Sequence, residues 1–259
     1  MTIRIRDLSH IVIDPIEFPS AGGTVRGLLY HSGRPADCVV LCHGYSAGKH
    51  NVDPLAYHLA AQGYIALAFD FLGHKLGASS LPLVRADDLV VNALDALAFA
   101  RAHPLVRRLV VGGHSMGAAT AIGAALSDRA VDGIIAISTA RHRGRKLEGD
   151  GLVSGLLNRR AYVDGAGPLE ITIAMDAFTA RIGELAPRPV LLVAGSKDAL
   201  VAPSAVRQLY DEAREPKTYE LIEANHTDCA ERARFVVTRW LQATGFEYAT
   251  TTTSSGDEA

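Results

Sequence analysis

Residues Gly113-His114-Ser115-Met116-Gly117 set one serine between two glycines, a G-x-S-x-G pattern whose chemistry is nucleophilic. The apolar run LVVG precedes it and the run AATAIGAAL follows, so the pattern falls where a strand should turn into a helix. A very tight turn there pushes the serine into the open with strained backbone angles. Glycine at 113 and 117 clears space where a Cβ would strike a neighbouring element, and the helix N-terminus behind Ser115 favours developing negative charge. A serine hydroxyl is a weak nucleophile: it needs a base to take its proton and an acid to orient that base. Asp198 follows the run PVLLVA, and His226 follows the run YELI. If these runs are parallel strands, their following loops share the sheet edge that carries Ser115, where open α/β sheets place their sites.

The remaining sequence supplies the elements that must position these three residues. Ile11 to Phe18 and Val25 to Tyr30, separated by Gly22-Gly23, are expected strands. Cys38 to Cys42 is apolar throughout, as a strand covered on both faces should be. From there strand and helix alternate. A helix over Pro54 to Gln62, with Asp53 as N-cap and Gly63 as its stop, precedes a strand over Tyr64 to Phe69. Ala86 to Ala102 is expected as a helix, Leu109 to Val111 as a strand, Met116 to Leu126 as a helix and Ile134 to Ile137 as a strand. After an irregular stretch, strands over Pro189 to Ala194 and Tyr219 to Ile222 alternate with helices over Pro203 to Glu212 and Cys229 to Leu241. Such alternation implies a mostly parallel sheet with helices on both faces.

Composition narrows the partners. The chain has 259 residues, with 26 Lys plus Arg against 28 Asp plus Glu, which gives no global field to attract nucleic acid or an anionic membrane. Three cysteines are too few for a disulfide framework. Cys38 and Cys42 lie four apart on one strand and cannot bond, so all three are expected to be small hydrophobes in a reducing, cytoplasmic compartment. The N-terminal MTIRIRDLSHIVID lacks the apolar block of a signal peptide. Leu109 to Leu126 carries four glycines, a histidine and a serine, which is no membrane span.

With these residues in place, the chain resembles the α/β-hydrolase fold serine hydrolases over roughly residues 20–245, and looks most similar to the dienelactone-hydrolase and prolyl-oligopeptidase-like esterases. Leu41-Cys42-His43-Gly44-Tyr45 resembles that family's His-Gly-x turn. Asp70-Phe71-Leu72-Gly73-His74 resembles its Asp-x-x-Gly-x turn, although the usual Gly-x-Ser continuation is displaced to Gly77-Ala78-Ser79. The resemblance implies the order Ser115, Asp198, His226 for a catalytic triad and an oxyanion hole formed by the backbone N–H groups of Tyr45 and Met116. His43, Gly44 and His114 border these groups and are candidate substrate contacts, with hydrogen-bonding of the turn the alternative role for His43 and packing beneath the nucleophile that for His114. No acidic residue follows Ile134–Ile137, where some relatives of this fold carry the acid, and that favours Asp198. His74, His103 and His142 lie in the wrong loops for a base.

Two units are expected. Residues 1–138 and 187–245 form the α/β-hydrolase core, residues 139–186 a small lid insertion with short helical pieces near 152–157 and 176–184, and residues 246–259 a polar, disordered tail. Between positions 141 and 160 the insertion carries Arg141, Arg143, Arg145, Lys146, Arg159 and Arg160, either a rim for an acidic substrate or a solvated loop. Leu152, Val153, Leu156, Leu157, Ile173, Met175 and Phe178 either line an acyl pocket or seal the insertion to the body. The expected activity is hydrolysis of small-molecule carboxylic esters through an acyl-enzyme, with no metal or organic cofactor and no nucleic-acid or membrane partner. A homodimer is the candidate assembly. The same triad would serve a thioesterase, a C–C bond hydrolase, an acyltransferase or an aminopeptidase. A scaffold of this kind can also act as a non-catalytic ligand sensor.

Overall fold

In the computed structural model, residues 11–141 and 157–249 are described. Eight strands form one sheet: β1 (Val12–Ser20), β2 (Gly23–His31), β3 (Ala36–Cys42), β4 (Ile65–Phe69), β5 (Val106–His114), β6 (Gly133–Ile137), β7 (Val190–Gly195) and β8 (Lys217–Ile222). Their order is β1-β2-β4-β3-β5-β6-β7-β8. The pairs β1–β2 and β2–β4 are antiparallel, and the other neighbours are parallel. The fold is the α/β-hydrolase fold. Its chain order reverses at β3, which lies between β4 and β5, so the C-terminal ends of β3 and β5 open a crevice between diverging crossovers.

The apolar strands sort their residues by parity. Cys38, Val40, Cys42, Leu67, Val111 and Leu192 join one buried cluster, while Val39, Leu41, Ala66, Val110 and Leu191 join another on the opposite face. This is what a period of two requires of strands covered on both sides. Helices α2 (Asp88–Ala102), α3 (Met116–Ser127), α4 (Pro168–Thr179) and α5 (Pro203–Glu212) cover the first face. Helices α1 (Asp53–Ala61), α6 (Cys229–Arg232) and α7 (Arg234–Ala243) cover the second. Helix α3 is buried from Met116 to Ala125, and its alanines and glycines let it lie close against the sheet. All three cysteines are buried and unpaired.

Several expectations are corrected. Asp53 is the first residue of α1, not its N-cap; its carboxylate accepts a hydrogen bond from Tyr30 Oη at 2.9 Å instead. The single helix expected over Cys229–Leu241 is two, α6 and α7, meeting at Ala233. The later helix of the insertion runs Pro168–Thr179, set by Pro168 at its first turn, and a 3-10 turn follows at Ile182–Leu185. The core extends past 245. Phe246 is buried against Trp240, the Glu247 N–H donates to Asp37 Oδ2 at 2.6 Å, and the Ala249 N–H donates to the Gly63 carbonyl at 2.8 Å. Aromatic and backbone anchors thus override the polar composition in 246–249, and the run 250–259 lies outside the described residues.

The described part of the insertion is stitched to the body. Lys75 N–H donates to the Tyr162 carbonyl at 2.9 Å, Asp164 N–H to that of Gly73 at 2.8 Å, and Ala166 N–H to that of Leu83 at 2.7 Å. Phe178 lies against Gly123 of α3, where a Cβ would sit 2.9 Å from its ring, and Met175 is buried. These two residues therefore form the seam, whereas Ile173 is 57% exposed and Leu157 is exposed as well. Leu152, Val153 and Leu156 lie outside the described residues. No helix among the described residues is long and apolar enough to cross a membrane.

Candidate active site

β5 ends at His114 and α3 begins at Met116, leaving Ser115 alone in the turn with φ +56° and ψ −119°. A non-glycine residue at positive φ is strained, and the surrounding bonds must hold it there. Ser115 N–H donates to the Ile137 carbonyl of β6 at 2.8 Å, and the Ser115 carbonyl accepts from Ala118 and Ala119. The flanking glycines are sterically required. A Cβ on Gly113 would come within 2.5 Å of the Cys42 carbonyl oxygen, and one on Gly117 would overlap the carbonyl oxygens of Cys42 and His43. The end of β3 is thereby pressed against the start of α3. Ser115 remains partly exposed although Gly112 to Ala125 around it are buried.

The sheet carries the other two candidates to the same edge. Asp198 follows β7 and His226 follows β8, and His226 lies within reach of both partners. Its Nε2 is 3.1 Å from Ser115 Oγ and its Nδ1 is 2.8 Å from Asp198 Oδ2. Because Asp198 can only accept when ionised, Nδ1 carries the proton and Nε2 is free to accept one from the serine. Burial alone would raise the Asp198 pKa. Hydrogen bonds from His226, from Val201 N–H at 2.8 Å and from Leu200 N–H at 2.9 Å more than offset it and hold the carboxyl below its ordinary range. The carboxylate is thus ionised and fixed from both oxygens.

Gly44 lies directly beside the serine, since a Cβ there would be 3.6 Å from Ser115 Cβ. Tyr45 follows it in the turn after β3, and Met116 is the first residue of α3, whose opening N–H groups have no intrahelical acceptor. Neither the Tyr45 nor the Met116 N–H donates to another group among the described residues. His43 turns away from the serine. Its Nε2 accepts the Phe71 N–H at 3.0 Å, so Nδ1 donates to the Gly44 carbonyl at 2.8 Å, bracing the β3 turn against the β4 turn. Burial, then the neighbouring His74, push its pKa down to about 3, so the ring is neutral. His114 is likewise buried behind the serine. Both histidines are therefore buried and neutral, and Gly44 is the candidate contact whose Cα lies against the serine side chain.

The displaced loop after β4 has its own organiser. Asp70 is fully buried; its Oδ1 accepts the Lys49 N–H at 2.6 Å, and its Oδ2 accepts Lys49 Nζ and the Ala78 N–H, each at 2.8 Å. Ser79 Oγ donates to the Asp70 carbonyl. Asp70 is thus a structural hydrogen-bonder, a brace for this loop, as its sequence position suggested. Of the basic cluster, Arg141 pairs with Glu212 at 3.0 Å and Arg159 donates to Ser46 Oγ at 3.4 Å. Arg143, Arg145 and Lys146 lie outside the described residues. No group of three His, Cys, Asp or Glu among the described residues is arranged to hold a metal ion.

The family profile described as serine aminopeptidase, S33 matches residues 33–162, half of the chain, including the β3 turn and the Ser115 motif. No curated protein matches the sequence. Among solved structures, an esterase from Pyrococcus furiosus is 21% identical, with 94% of each chain covered and a TM-score of 0.67. Est1E from Butyrivibrio proteoclasticus, holding ferulic acid, is 16% identical, with 88% of this chain and 98% of that one covered and a TM-score of 0.70. A thermophilic esterase from Thermogutta terrifontis with malate bound is 19% identical, covering 89% and 98%, at a TM-score of 0.65. At these identities the structures speak to fold, and the profile speaks to family. The chain belongs to the serine aminopeptidase, S33 family and is an α/β serine hydrolase.

Proposed function

We propose that this hydrolase cleaves small-molecule carboxylic esters through an acyl-enzyme, with Ser115 as nucleophile, His226 as base and Asp198 as the orienting acid. The observation that carries the reading is the continuous chain from Ser115 Oγ through His226 to Asp198, with contacts of 3.1 and 2.8 Å. His226 Nε2 takes the serine proton as Oγ attacks the ester carbonyl. The resulting oxyanion is held by the Tyr45 and Met116 N–H groups, a type of donor typically worth ~3 kcal/mol. His226 then gives its proton to the departing alkoxide, which leaves as alcohol and produces the acyl-enzyme. Water enters, loses a proton to the same nitrogen and attacks the acyl carbonyl; the proton returns to Ser115 as the acid departs. Asp198 stays ionised throughout and holds the Nδ1–H tautomer.

The family's description makes an aminopeptidase the second reading. An aminopeptidase must bind a substrate α-ammonium, for which a free carboxylate beside the serine is the natural partner. Among the described residues, the acids Asp198, Asp70 and Asp228 that flank this edge are engaged, by His226, by Lys49, and by Asn225 and Arg232. That favours an ester over a free peptide N-terminus. The described insertion then acts as a fixed cover, with Arg159 and Arg160 at its rim. Three unpaired buried thiols suit a reducing compartment, here taken as the cytoplasm.

Ser115→Ala should abolish hydrolysis of short p-nitrophenyl esters, a loss of ~10⁶-fold in kcat, while circular dichroism and Tm stay as in the parent. A fluorophosphonate probe should label the parent at Ser115 and leave the variant unlabelled. Activity retained in Ser115→Ala would reject the assignment, and faster cleavage of aminoacyl p-nitroanilides than of esters would favour the peptidase.

A further inference from the structure

His114 packs between the His226 ring and the β3 turn and completes a hydrogen bond to neither. Its ring packs on that of His226 with centroids 4.7 Å apart and planes inclined by 49°. On another side it meets the β3 turn: a Cβ on Gly44 would lie 3.3 Å from His114 Nδ1, so only glycine leaves the ring its full room. The residue is 3% exposed. One ring nitrogen approaches the His226 backbone carbonyl, yet neither nitrogen completes a hydrogen bond of ordinary geometry.

That arrangement is costly at rest, because a buried polar atom without a partner sacrifices hydration and gains nothing. Phenylalanine or leucine would fill a similar space without that cost. An unsatisfied group is therefore expected to have a partner in another state of the site. The group against His114 that changes charge during the reaction is the His226 ring, which becomes an imidazolium when it accepts the serine proton. We infer that His114 is a positioning residue whose neutral ring, through the dipole of its buried nitrogens, holds His226 in register and favours the imidazolium over the resting imidazole. This rests on the reading of Ser115, His226 and Asp198 as the triad.

The electrostatic setting agrees. Burial, and then the adjacent His226, push the His114 pKa down to about 3, so the ring stays neutral and does not repel the imidazolium. His226 is also faced by Asp198 Oδ2 and Ser115 Oγ, with Asp228 and Cys229 on its own segment. Asp228 is held by the Asn225 N–H and Arg232, and burial pushes the Cys229 thiol up to about 11. His114 is thus the uncharged polar wall of a ring otherwise set by Asp198.

His114→Phe, assayed on p-nitrophenyl acetate, should lower kcat about tenfold. KM should stay within about twofold, and the acid limb of the kcat/KM profile should move to lower pH, because the cation loses a favourable neighbour. His114→Gln, which restores a polar group of similar reach, should recover most of kcat and return the acid limb. Unchanged kcat and acid limb in His114→Phe would overturn the inference. So would a loss with no movement of the acid limb, or a Gln variant as impaired as the Phe variant. If His114→Phe does not fold, His114→Leu decides by the same readouts. Fluorophosphonate labelling of the parent separates the two levels: an unlabelled parent defeats the triad reading, whereas a labelled parent with an indifferent His114→Phe defeats only the role of His114.

Discussion

Two buried carboxylates stand at opposite edges of the same sheet, and their surroundings differ in kind. Asp37, at the start of β3, is 1% exposed; its Oδ2 accepts Arg108 Nε at 3.1 Å, Arg108 Nη2 at 2.7 Å and the Glu247 N–H at 2.6 Å. Its Oδ1 accepts the Arg108 N–H, and the Arg108 guanidinium lies 4.7 Å over the Phe246 ring. That edge is closed around the pair: Asp37 and the Arg108 guanidinium both find their partners within the protein. Asp198, after β7, is 6% exposed and equally well bonded, but its partner His226 reaches onward to a partly exposed serine. Around it the edge is open. Tyr45 Oη, His74 Nε2 and both nitrogens of His114 are buried without a completed hydrogen bond. Bonding completed inside the chain stabilises the fold, whereas bonding left incomplete is available to a substrate or a transition state.

Exchanging the two carboxylates for neutral residues should separate these roles. Asp198→Asn keeps the size of the side chain and leaves its carbonyl to accept from Leu200 and Val201, so Tm should change little. The amide cannot stabilise an imidazolium at His226 and favours the wrong tautomer, so kcat should fall about 10³–10⁴-fold. A Tm loss comparable to the activity loss would remove the contrast. Asp37→Ala should do the reverse. It strands the Arg108 guanidinium and the Glu247 N–H, an effect of about 3 kcal/mol read by urea unfolding, while kcat per folded molecule is unchanged.

The open edge was the more legible in sequence. Ser115, Asp198 and His226 each follow a short apolar run, and a parallel sheet brings the ends of such runs together whatever their separation in the chain. The central strands β4, β6 and β7 were legible because each is buried on both faces and therefore carries no polar side chain. The closed edge was not legible, because its bonds are between residues with no local signature. Nothing around Asp37 announces Glu247, 210 positions later, and Phe246 sits in a polar neighbourhood that composition assigns to solvent. Asp53 shows the same limit on a smaller scale, since a cap and a first-turn acid look alike until Tyr30 is seen to claim its carboxylate. Within the site, the role of His43 as a brace was legible from its place inside CVVLCHGY, where a histidine is set to be buried, neutral and bonded to backbone.

The smallest expected effect tests the open edge through pH. Burial is the leading cause that lowers the pKa of His43 and His114 to about 3 and of His74 to about 4. An unfolded chain protonates these rings near 6.5, so above that pH neither state binds the proton and the rings leave stability unaffected. As pH falls from 6.5 toward 4, the unfolded state takes up protons that the folded state refuses, and stability is lost. The Asp198 carboxyl, held below its ordinary range, is lost only at more acidic pH and stays out of this window. Between pH 7.5 and 5.5 each buried ring should thus subtract roughly 1 kcal/mol from the unfolding free energy. His114→Phe removes one of the three, so its Tm should exceed that of the parent by a margin that widens as pH drops across this range. A margin that stays constant with pH would mean that His114 is protonated in the folded protein, and the open edge would then hold one neutral wall fewer than its burial implies.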